Sequence, residues 1–456
     1  MRRCIVTVVG LAVLVAAGLA LWSCERLAPE PQGAYAGSEA CKSQECHPGE
    51  YAAYMGSNHQ KYVQIATPET VIGDFTENNV LEAGGKKTTM VRRGDQFFIE
   101  TTGPDGKLHQ YRVERTIGHF YKQRYSTTLA DGRRYILPVQ WNKNEKRWVD
   151  YHGLAKTKPG SGKYWCDLGR NTAMTCGGCH GTGIRLEGDP PTLVEAEMSI
   201  GCEACHGPCA AHCKDEKNPD LIKAISLKNL SQQRQVDVCG KCHCRGKDPE
   251  TKTDYPYGFL PGDRLLLRYA PVEPVIGKKT GRFWPDGRAS GHHQQYIDFV
   301  KSAHYTKAGM TCTSCHENHA TRPIGVRQIH DGQMPNDLCL ACHENRRGDE
   351  ALRKHTFHDP AREGAVCIDC HMPRLVKNEQ PFQLRHHGAS KPNPRKAIAW
   401  GAPDACSLCH YHKAKGDTPQ AMLDAMANWG IPPLPIEIEV EKKAEGEQEP
   451  SPKKGA

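Results

Sequence analysis

Alternating apolar and polar residues predict a small antiparallel β insert at about 87–152. The segment 96–101 alternates with a period of two, and residues 108–113 do so again after a Gly-Pro-Asp-Gly turn at 103–106. Asp131-Gly132 favours a second turn before the apolar run 135–139, and Trp148-Val149 follow a third turn. Because such turns join neighbouring strands, the pattern predicts a meander.

The N-terminus carries a long apolar run. Arg2-Arg3 precede an almost purely apolar stretch over 4–22, and Leu21-Trp22-Ser23-Cys24 resembles a bacterial lipobox. Residues 1–24 are therefore interpreted as a secretory signal that leaves Cys24 as the lipidated first residue of a lipoprotein. The alternative is an uncleaved helical anchor, because the run approaches the length of about 20 residues that spans a bilayer. Both interpretations export everything after residue 24.

The rest of the chain is predicted to hold one long domain between two polar ends. The Pro-rich residues 25–36 are interpreted as a tether, and residues 37–430 as one continuous unit. Residues 431–456 are rich in Glu, Lys and Pro and are predicted to be disordered. Met422, Met426 and Trp429 recur at helical spacing and predict an amphipathic helix over 419–429.

The composition leaves few apolar side chains for a conventional core. Of the 456 residues, 38% are hydrophobic and 7% aromatic, while 44 Gly and 31 Pro indicate a loop-rich chain. Side-chain burial alone would struggle to offset the conformational entropy lost on folding. The 22 Cys and 23 His indicate what fills the interior, since covalent links and metals stabilise small cores.

Eight Cys-His motifs run through the 37–430 unit. Seven have the spacing Cys-x-x-Cys-His, and the first, at 41–47, has four residues between its cysteines. The motif cysteines are Cys41, Cys46, Cys176, Cys179, Cys202, Cys205, Cys239, Cys242, Cys312, Cys315, Cys339, Cys342, Cys367, Cys370, Cys406 and Cys409. The motif histidines are His47, His180, His206, His243, His316, His343, His371 and His410.

This spacing suits covalent attachment of haem c. Two thiols add to the vinyl groups of one porphyrin, and the adjacent imidazole reaches the iron. The longer Cys-x4-Cys loop can still reach both vinyl groups by bulging outward. A zinc site does not require a histidine directly after the second cysteine, and a disulfide framework would not attach a histidine to every second cysteine. The sequence therefore predicts eight covalently bound haem c groups with their irons.

The remaining histidines can occupy the second axial position of the irons. Seven of them are placed close to a motif or between two motifs and are the predicted distal ligands: His59, His212, His304, His319, His355, His358 and His386. For each, the alternative is a surface or propionate-binding histidine. The weaker candidates are His119, His152, His293, His330, His387 and His412.

Six cysteines lie outside the motifs. Two belong to the N-terminal segment, and four lie in the body of the chain: Cys166, Cys209, Cys213 and Cys244. Their even number fits two disulfide bonds in an oxidising compartment. The alternative is a thiolate iron ligand or a reactive thiol near the third or fourth haem, because these cysteines flank that pair of motifs.

Three segments resemble the cytochrome c-554 family and its octahaem relatives. They are 200–208 with the following His212, 305–319 around the fifth motif, and 367–373. The similarity runs through nearly all of residues 37–430 in motif order. It implies a mainly α-helical, loop-rich multihaem cytochrome fold wrapped around stacked haems, with the β insert as an addition. The wider group includes hydroxylamine oxidoreductase and pentahaem nitrite reductase, but this chain lacks the Cys-x-x-Cys-Lys motif of the nitrite reductases.

These features favour an electron carrier over a substrate-converting oxidoreductase, and no catalytic residue is assigned. We expect electron transfer between a membrane-side donor and a periplasmic or cell-surface acceptor, with quinol-linked proteins or other cytochromes as partners. At least six haems are expected to have two histidine ligands. The alternative is an oxidoreductase acting on nitrite, hydroxylamine, tetrathionate or a similar nitrogen or sulfur compound at one open or Cys-ligated haem, sought first at the third or fourth haem.

The net charge does not change this expectation. A formal charge of +8 would suit nucleic acid, but the basic residues are dispersed and the propionates of eight haems would offset the surplus. We therefore expect no nucleic-acid partner. The chain is expected on the periplasmic or outer surface of a bacterial membrane, held there through its N-terminal lipid or helix, and a homo-oligomer is compatible with the sequence.

Overall fold

The computed structural model describes residues 34–151, 153, 155–319, 336–362, 364–378, 380–410, 418–432 and 434. The predicted signal, most of the tether and most of the charged tail lie outside these ranges, as do His152, His330 and His412. No helix within the described ranges combines the length and the apolar character needed to cross a membrane.

Two antiparallel sheets occupy most of residues 63–150. One has five strands in the order β1-β6-β7-β8-β9, and the other has four in the order β2-β3-β4-β5. Their strands are β1 Val63–Ile65, β2 Val80–Ala83, β3 Lys86–Arg93, β4 Gln96–Thr102, β5 Leu108–Arg112, β6 Arg115–Ile117, β7 Lys122–Thr128, β8 Arg134–Asn142 and β9 Arg147–Asp150.

The strands follow from their residue patterns. In β4, buried and more exposed residues alternate, because one face packs on the core. In β8, every residue after Arg134 is buried, since the strand lies inside its sheet between β7 and β9. Pro138 in β8 has no N–H for the ladder, and the register with β7 shifts beside it, between Arg124 and Ser126.

The sheets enclose a conventional hydrophobic core. Met90, Ile99, Tyr125 and Leu137 are completely buried and belong to one apolar cluster. Trp165 joins this cluster from the following loop, where its indole N–H donates to the Thr102 carbonyl oxygen at 2.9 Å. This part of the chain is therefore stabilised by ordinary side-chain burial.

The remainder consists of short helices, short strand pairs and loops. The α-helices are Pro48–Met55, Cys202–His206, Ala210–Lys214, Pro219–Ile225, Gln232–His243, Gln295–Val300, Ala303–Thr306, Asp337–Leu340, Asp349–Thr356, Cys367–His371, Pro394–Trp400, Ala405–Cys409 and Pro419–Asn428. The 3-10 helices are Ser38–Lys42, Leu168–Arg170, Gly177–His180, Leu227–Asn229, Leu265–Leu267, Cys312–Ser314 and Glu344–Arg346. The strand pairs are β10 Gly181–Thr182 with β13 Glu197–Met198, β11 Arg185–Glu187 with β12 Thr192–Val194, β14 Gly246–Lys247 with β15 Ala270–Pro271, and β16 Val376–Asn378 with β17 Gln380–Leu384.

The predicted mainly α-helical fold is wrong. The chain is 30% helical and 19% strand, with several antiparallel sheets. The meander itself is confirmed, since β4 pairs with β5, β7 with β8 and β8 with β9, and the helix Pro419–Asn428 is also confirmed. The β region begins near Val63 and not near 87, because β1 and β2, which precede residue 87, have only three and four residues and show too short a pattern to be recognised.

Candidate functional site

Most of the motifs lie on short helices. The fourth motif ends the helix Gln232–His243, and the third and seventh coincide with Cys202–His206 and Cys367–His371. In the first motif, the Cys46 N–H donates to the Ser43 carbonyl at 3.0 Å, and the His47 N–H donates to the Cys41 carbonyl at 3.1 Å. These bonds fold the extra residues into an outward turn and bring both ends of the long motif together.

Seven motif histidines each face a second histidine at nearly the same distance. Two imidazoles on opposite sides of one iron have ring centres about 6 Å apart, because each metal–nitrogen bond is about 2 Å and each ring centre lies about 1 Å behind its nitrogen. The observed centroid distances span 5.8 to 6.5 Å. The pairs are His47–His212, His243–His59, His206–His319, His343–His304, His316–His387, His371–His355 and His410–His358.

The structure distinguishes His386 from His387. His386 is buried, and its Nδ1 lies 2.8 Å from an oxygen of the buried Asp298 carboxylate. His387 instead faces His316 with a centroid separation of 6.2 Å. Six of the seven histidines expected to be distal ligands therefore face a motif histidine. The seventh, His386, does not, and its neighbour His387 faces His316 in its place.

The second and fourth motifs depart from this arrangement. His180 faces no histidine in this way within the described ranges, and its ring packs against Tyr62 at 4.7 Å. His243 has a second histidine near the same distance, His293 at 6.5 Å. The sequence directed attention to the third and fourth motifs, whereas the structure shows departures at the second and fourth.

Burial keeps several of these imidazoles neutral. It lowers the pKa of His180 to about 3, with a further contribution from Arg245 and Arg124. It also lowers the pKa of His387 to about 4, although the hydrogen bond with the Arg385 carbonyl opposes the shift. A neutral imidazole has the free lone pair that coordinates a metal, so burial prepares these side chains for iron.

Cysteine sulfur atoms of different motifs lie close to one another. In this structure they are thiols, which stand for the thioethers that haem attachment would form. Hydrogen bonds join Cys41 to Cys202, Cys179 to Cys242, Cys239 to Cys312 and Cys339 to Cys367. Electrostatic proximity joins Cys205 to Cys239, Cys315 to Cys342 and Cys370 to Cys409. In motif order, these contacts connect the first, third, fourth, fifth, sixth, seventh and eighth sites in a line, and the second branches from the fourth.

A long cavity of about 2150 Å³ runs among the motifs. Residues of the second to eighth motifs line it, together with apolar side chains such as Phe259, Tyr296 and Leu340. Cysteines for attachment, facing imidazoles and an apolar wall are the features that haem requires, so the residues present fit this cofactor. Haem bound in this cavity would fill the interior of the helical part, for which the sequence has few apolar side chains.

The four additional body cysteines form no disulfide bonds with one another in this structure. Cys166 is buried in the core of the β region, and Cys244 is buried beside the helix Gln232–His243. Cys209 and Cys213 are hydrogen-bonded to each other near the first motif. The interpretation of two disulfide bonds is therefore wrong: Cys166 and Cys244 lie in different clusters.

Glu203 is a structural residue of the site that the sequence did not single out. It lies inside the third motif, is 2% exposed, and accepts hydrogen bonds from the backbone N–H groups of Ala36, Gly37 and Cys209 at 2.7 to 2.9 Å. One carboxylate thereby joins the N-terminal segment, the third motif and the start of the helix that carries His212. In the sequence, the only sign of this role was the position of Glu203 between the two cysteines of the third motif.

Comparison with known proteins agrees with this chemistry. Residues 140–207 match the family described as cytochrome c554 and c-prime, and residues 304–348 match the doubled CXXCH motif. The chain is 30% identical over 154 residues to the multiheme cytochrome MtrA of Shewanella baltica (strain OS185), a match covering 33% of this chain and 44% of that protein. The chain thus spans less than half the length of this curated relative.

The chain is also similar to two solved structures. The outer cell wall cytochrome OcwA superposes with a TM-score of 0.56 at 21% identity, covering 87% of this chain and 86% of OcwA. An undecaheme cytochrome from the S-layer of Carboxydothermus ferrireducens gives a TM-score of 0.41 at 19% identity, covering 89% of this chain and 62% of that one. The similarity to OcwA identifies the architecture, including its mixture of helices and sheets.

Proposed function

Because the chain is a multihaem c-type cytochrome, we propose that it is exported and transfers electrons outside the cytoplasm through eight covalently bound haems. The supporting observation is the set of seven histidine pairs with centroids 5.8 to 6.5 Å apart. Bound haem would supply the redox-active iron. Two fixed imidazoles block the iron to substrates and change little between oxidation states, which suits a carrier.

Each pair is proposed to hold one haem. The distal ligands are then His212, His319, His59, His387, His304, His355 and His358 for the first, third, fourth, fifth, sixth, seventh and eighth haems. We assign His59 to the fourth haem because His293, at a similar distance from His243, packs against His292 at 4.5 Å. Sixteen motif cysteines would make the covalent bonds, as the sequence predicts.

The contacts among motifs support a route for the electrons. Neighbouring cysteines connect seven of the sites in one line from the first motif to the eighth. A continuous line of sites suits a carrier that accepts electrons from a donor at one end and passes them to an acceptor at the other. The proposed partners are redox proteins, quinol-linked or cytochromes, with a membrane-side donor and a periplasmic or cell-surface acceptor.

The proposed location rests on the sequence and on the relatives. Haem c is attached outside the cytoplasm, and OcwA is described as an outer cell wall cytochrome. The proposed signal of residues 1–24, with Cys24 lipidated, would export the 37–430 unit and anchor it to a membrane. A second candidate function, conversion of a small nitrogen or sulfur compound, is favoured by the different surroundings of His180.

Adjacent histidines provide the test of the ligand assignments. Electron paramagnetic resonance of the oxidised protein should show low-spin iron at seven sites. His387→Ala should convert one of these irons to the high-spin state, because it removes an axial ligand. His386→Ala is the matched control and should leave the number of low-spin irons unchanged. High-spin conversion by His386→Ala, or none by His387→Ala, would contradict the assignment.

A further inference from the structure

Phe357 has a backbone conformation that a bulky side chain rarely adopts. Its φ and ψ are 58° and 20°, in the left-handed region, at the point where the helix Asp349–Thr356 ends. Its N–H donates to the Arg353 carbonyl at 2.9 Å, and the residue at such a helix end is commonly glycine, because a Cβ atom crowds the left-handed backbone. Strained residues of this kind persist where the surrounding structure holds them, and they gather at functional sites.

A second aromatic side chain holds the ring of Phe357. It stacks on the indole ring of Trp429, with centroids 4.6 Å apart and planes inclined by 8°. Trp429 directly follows the helix Pro419–Asn428, and its N–H donates to the Ala425 carbonyl at 3.0 Å. An aromatic pair gains free energy similar in size to the cost of one left-handed residue. The stack therefore offsets the strained backbone, whereas a glycine at this position would need no such compensation.

Phe357 lies between two histidines that face motif histidines. His355, in the last turn of its helix, faces His371 with ring centroids 5.9 Å apart. His358 faces His410 with ring centroids 5.8 Å apart. The left-handed residue between them turns the chain, so two histidines only three positions apart reach two different motifs. The geometry of that turn decides where the imidazole of His358 points.

Two further contacts hold the ring of His358. Its Nδ1 lies 2.6 Å from the Thr356 carbonyl oxygen, and donation to that oxygen leaves Nε2 with the free lone pair that iron requires. Gly364 passes so close that a Cβ atom there would lie 2.5 Å from the imidazole. Both contacts come from within residues 356–364, whereas the stack of Phe357 joins this segment to another part of the chain.

The helix Pro419–Asn428 connects the two sides of the eighth site. It packs against the helix Ala405–Cys409, which carries both cysteines of the eighth motif. Met422 and Trp429 line the long cavity alongside Phe357. One element thereby contacts the attachment side of this site and, through the aromatic stack, the segment that carries the proposed distal ligand.

We propose that Phe357, held by Trp429, positions the imidazole of His358 for the eighth iron. The stack fixes the turn after the helix Asp349–Thr356, and this keeps His358 opposite His410. Phe357 is thus a positioning residue, retained in a strained conformation because its ring is needed. The inference rests on the proposed function, in which these two histidines hold the eighth haem, and it adds the contact that keeps the pair aligned.

The test uses the full-length haem-loaded protein and begins with Phe357→Gly. This variant relieves the left-handed backbone but removes the stacked ring. If Phe357 only ended the helix, glycine would serve at least as well, and every iron would remain as in the wild type. We expect that the variant keeps eight haems by intact mass but gains one high-spin ferric iron. After reduction it should bind carbon monoxide at one more haem than the wild type, because an iron that loses its distal ligand accepts another.

Trp429 provides a matched pair of variants. Trp429→Ala removes the partner ring and should show the same gain of one high-spin iron, whereas Trp429→Phe keeps an aromatic stack and should retain the wild-type spectrum. Lys146→Gly is the backbone control, because Lys146 is exposed and has a φ of 48°. It should change neither the spin states nor the binding of carbon monoxide. Trp429→Ala also provides a second measurement if Phe357→Gly fails to retain its haems.

The outcomes separate this inference from the electron-transfer proposal. His358→Ala should itself add one high-spin iron; if it adds none, His358 and His410 are not an axial pair, and this ligand assignment of the proposed function fails. If His358→Ala has its effect while Phe357→Gly and Trp429→Ala keep eight haems and the wild-type spectrum, the positioning role is refuted. An equal effect of Trp429→Phe and Trp429→Ala would also refute it, because stacking would then not be what holds the ligand.

Discussion

Replacing Glu203 by alanine should loosen the N-terminal segment and the first haem site together. The carboxylate accepts backbone hydrogen bonds from Ala36 at 2.9 Å, Gly37 at 2.7 Å and Cys209 at 2.8 Å. It also lies 3.2 Å from the Cys209 sulfur. Because the side chain is 2% exposed, water cannot easily replace it as the acceptor.

The magnitude follows from these bonds. A hydrogen bond to a charged group contributes about 1.5–3 kcal/mol, and a buried donor left without a partner costs about 1–3 kcal/mol. Three donors affected at once, with incomplete additivity, suggest a loss of about 3–6 kcal/mol in the free energy of unfolding. That is a large part of the total stability of about 5–15 kcal/mol typical of a domain.

Native-state hydrogen exchange measures this effect locally. In Glu203→Ala, the amides of Ala36, Gly37 and Cys209 should exchange about 10- to 100-fold faster, because each loses a bond of that strength. The helix Ala210–Lys214 should lose protection as well, since Cys209 precedes it and His212 lies within it.

A nearby exposed glutamate supplies the control. Glu216→Ala should change stability by no more than about 0.5 kcal/mol, as surface substitutions usually do. Exchange at Ala36 and Gly37 should then match the wild type. If Glu203→Ala leaves these amides as protected as before, the carboxylate does not join the N-terminal segment to the third motif, and the reasoning from its hydrogen bonds is refuted.

Three other predictions concern haem attachment, a buried hydrogen-bonding carboxylate and the membrane. Cys46→Ala should reduce the intact mass by one haem from a total of eight; an unchanged mass would show that the long motif does not attach haem. Asp298→Asn should lower the thermal midpoint, because Asp298 accepts bonds from His386 Nδ1 at 2.8 Å and the Ala289 N–H at 3.1 Å; an unchanged midpoint would show that these bonds contribute little to stability. Cys24→Ala should release the chain from membranes or block its processing, and an uncleaved membrane-bound product would favour a helical anchor.

The sequence alone determined the local chemistry. A Cys-x-x-Cys-His motif contains within five residues both attachment points and the adjacent ligand, so no long-range information is needed to recognise it. The β4–β5 hairpin was likewise visible, because alternation and a Gly-Pro-Asp-Gly turn are local signals. The full extent of the β region was not, since β1 and β2 have only three and four residues and are strands only because they pair with β6 and β3.

Tertiary structure decided how distant histidines meet. His59 lies in a turn after the helix Pro48–Met55, whereas His243 ends the helix Gln232–His243 far along the sequence. Only packing brings their ring centroids to 6.2 Å. His386 and His387 are adjacent and chemically identical, yet the buried carboxylate of Asp298 engages the first and leaves the second to face His316. An attachment motif is a property of one short segment, so the sequence alone was enough to recognise it. A pair of facing histidines is a contact across the interior, so only the tertiary structure could show which histidines pair.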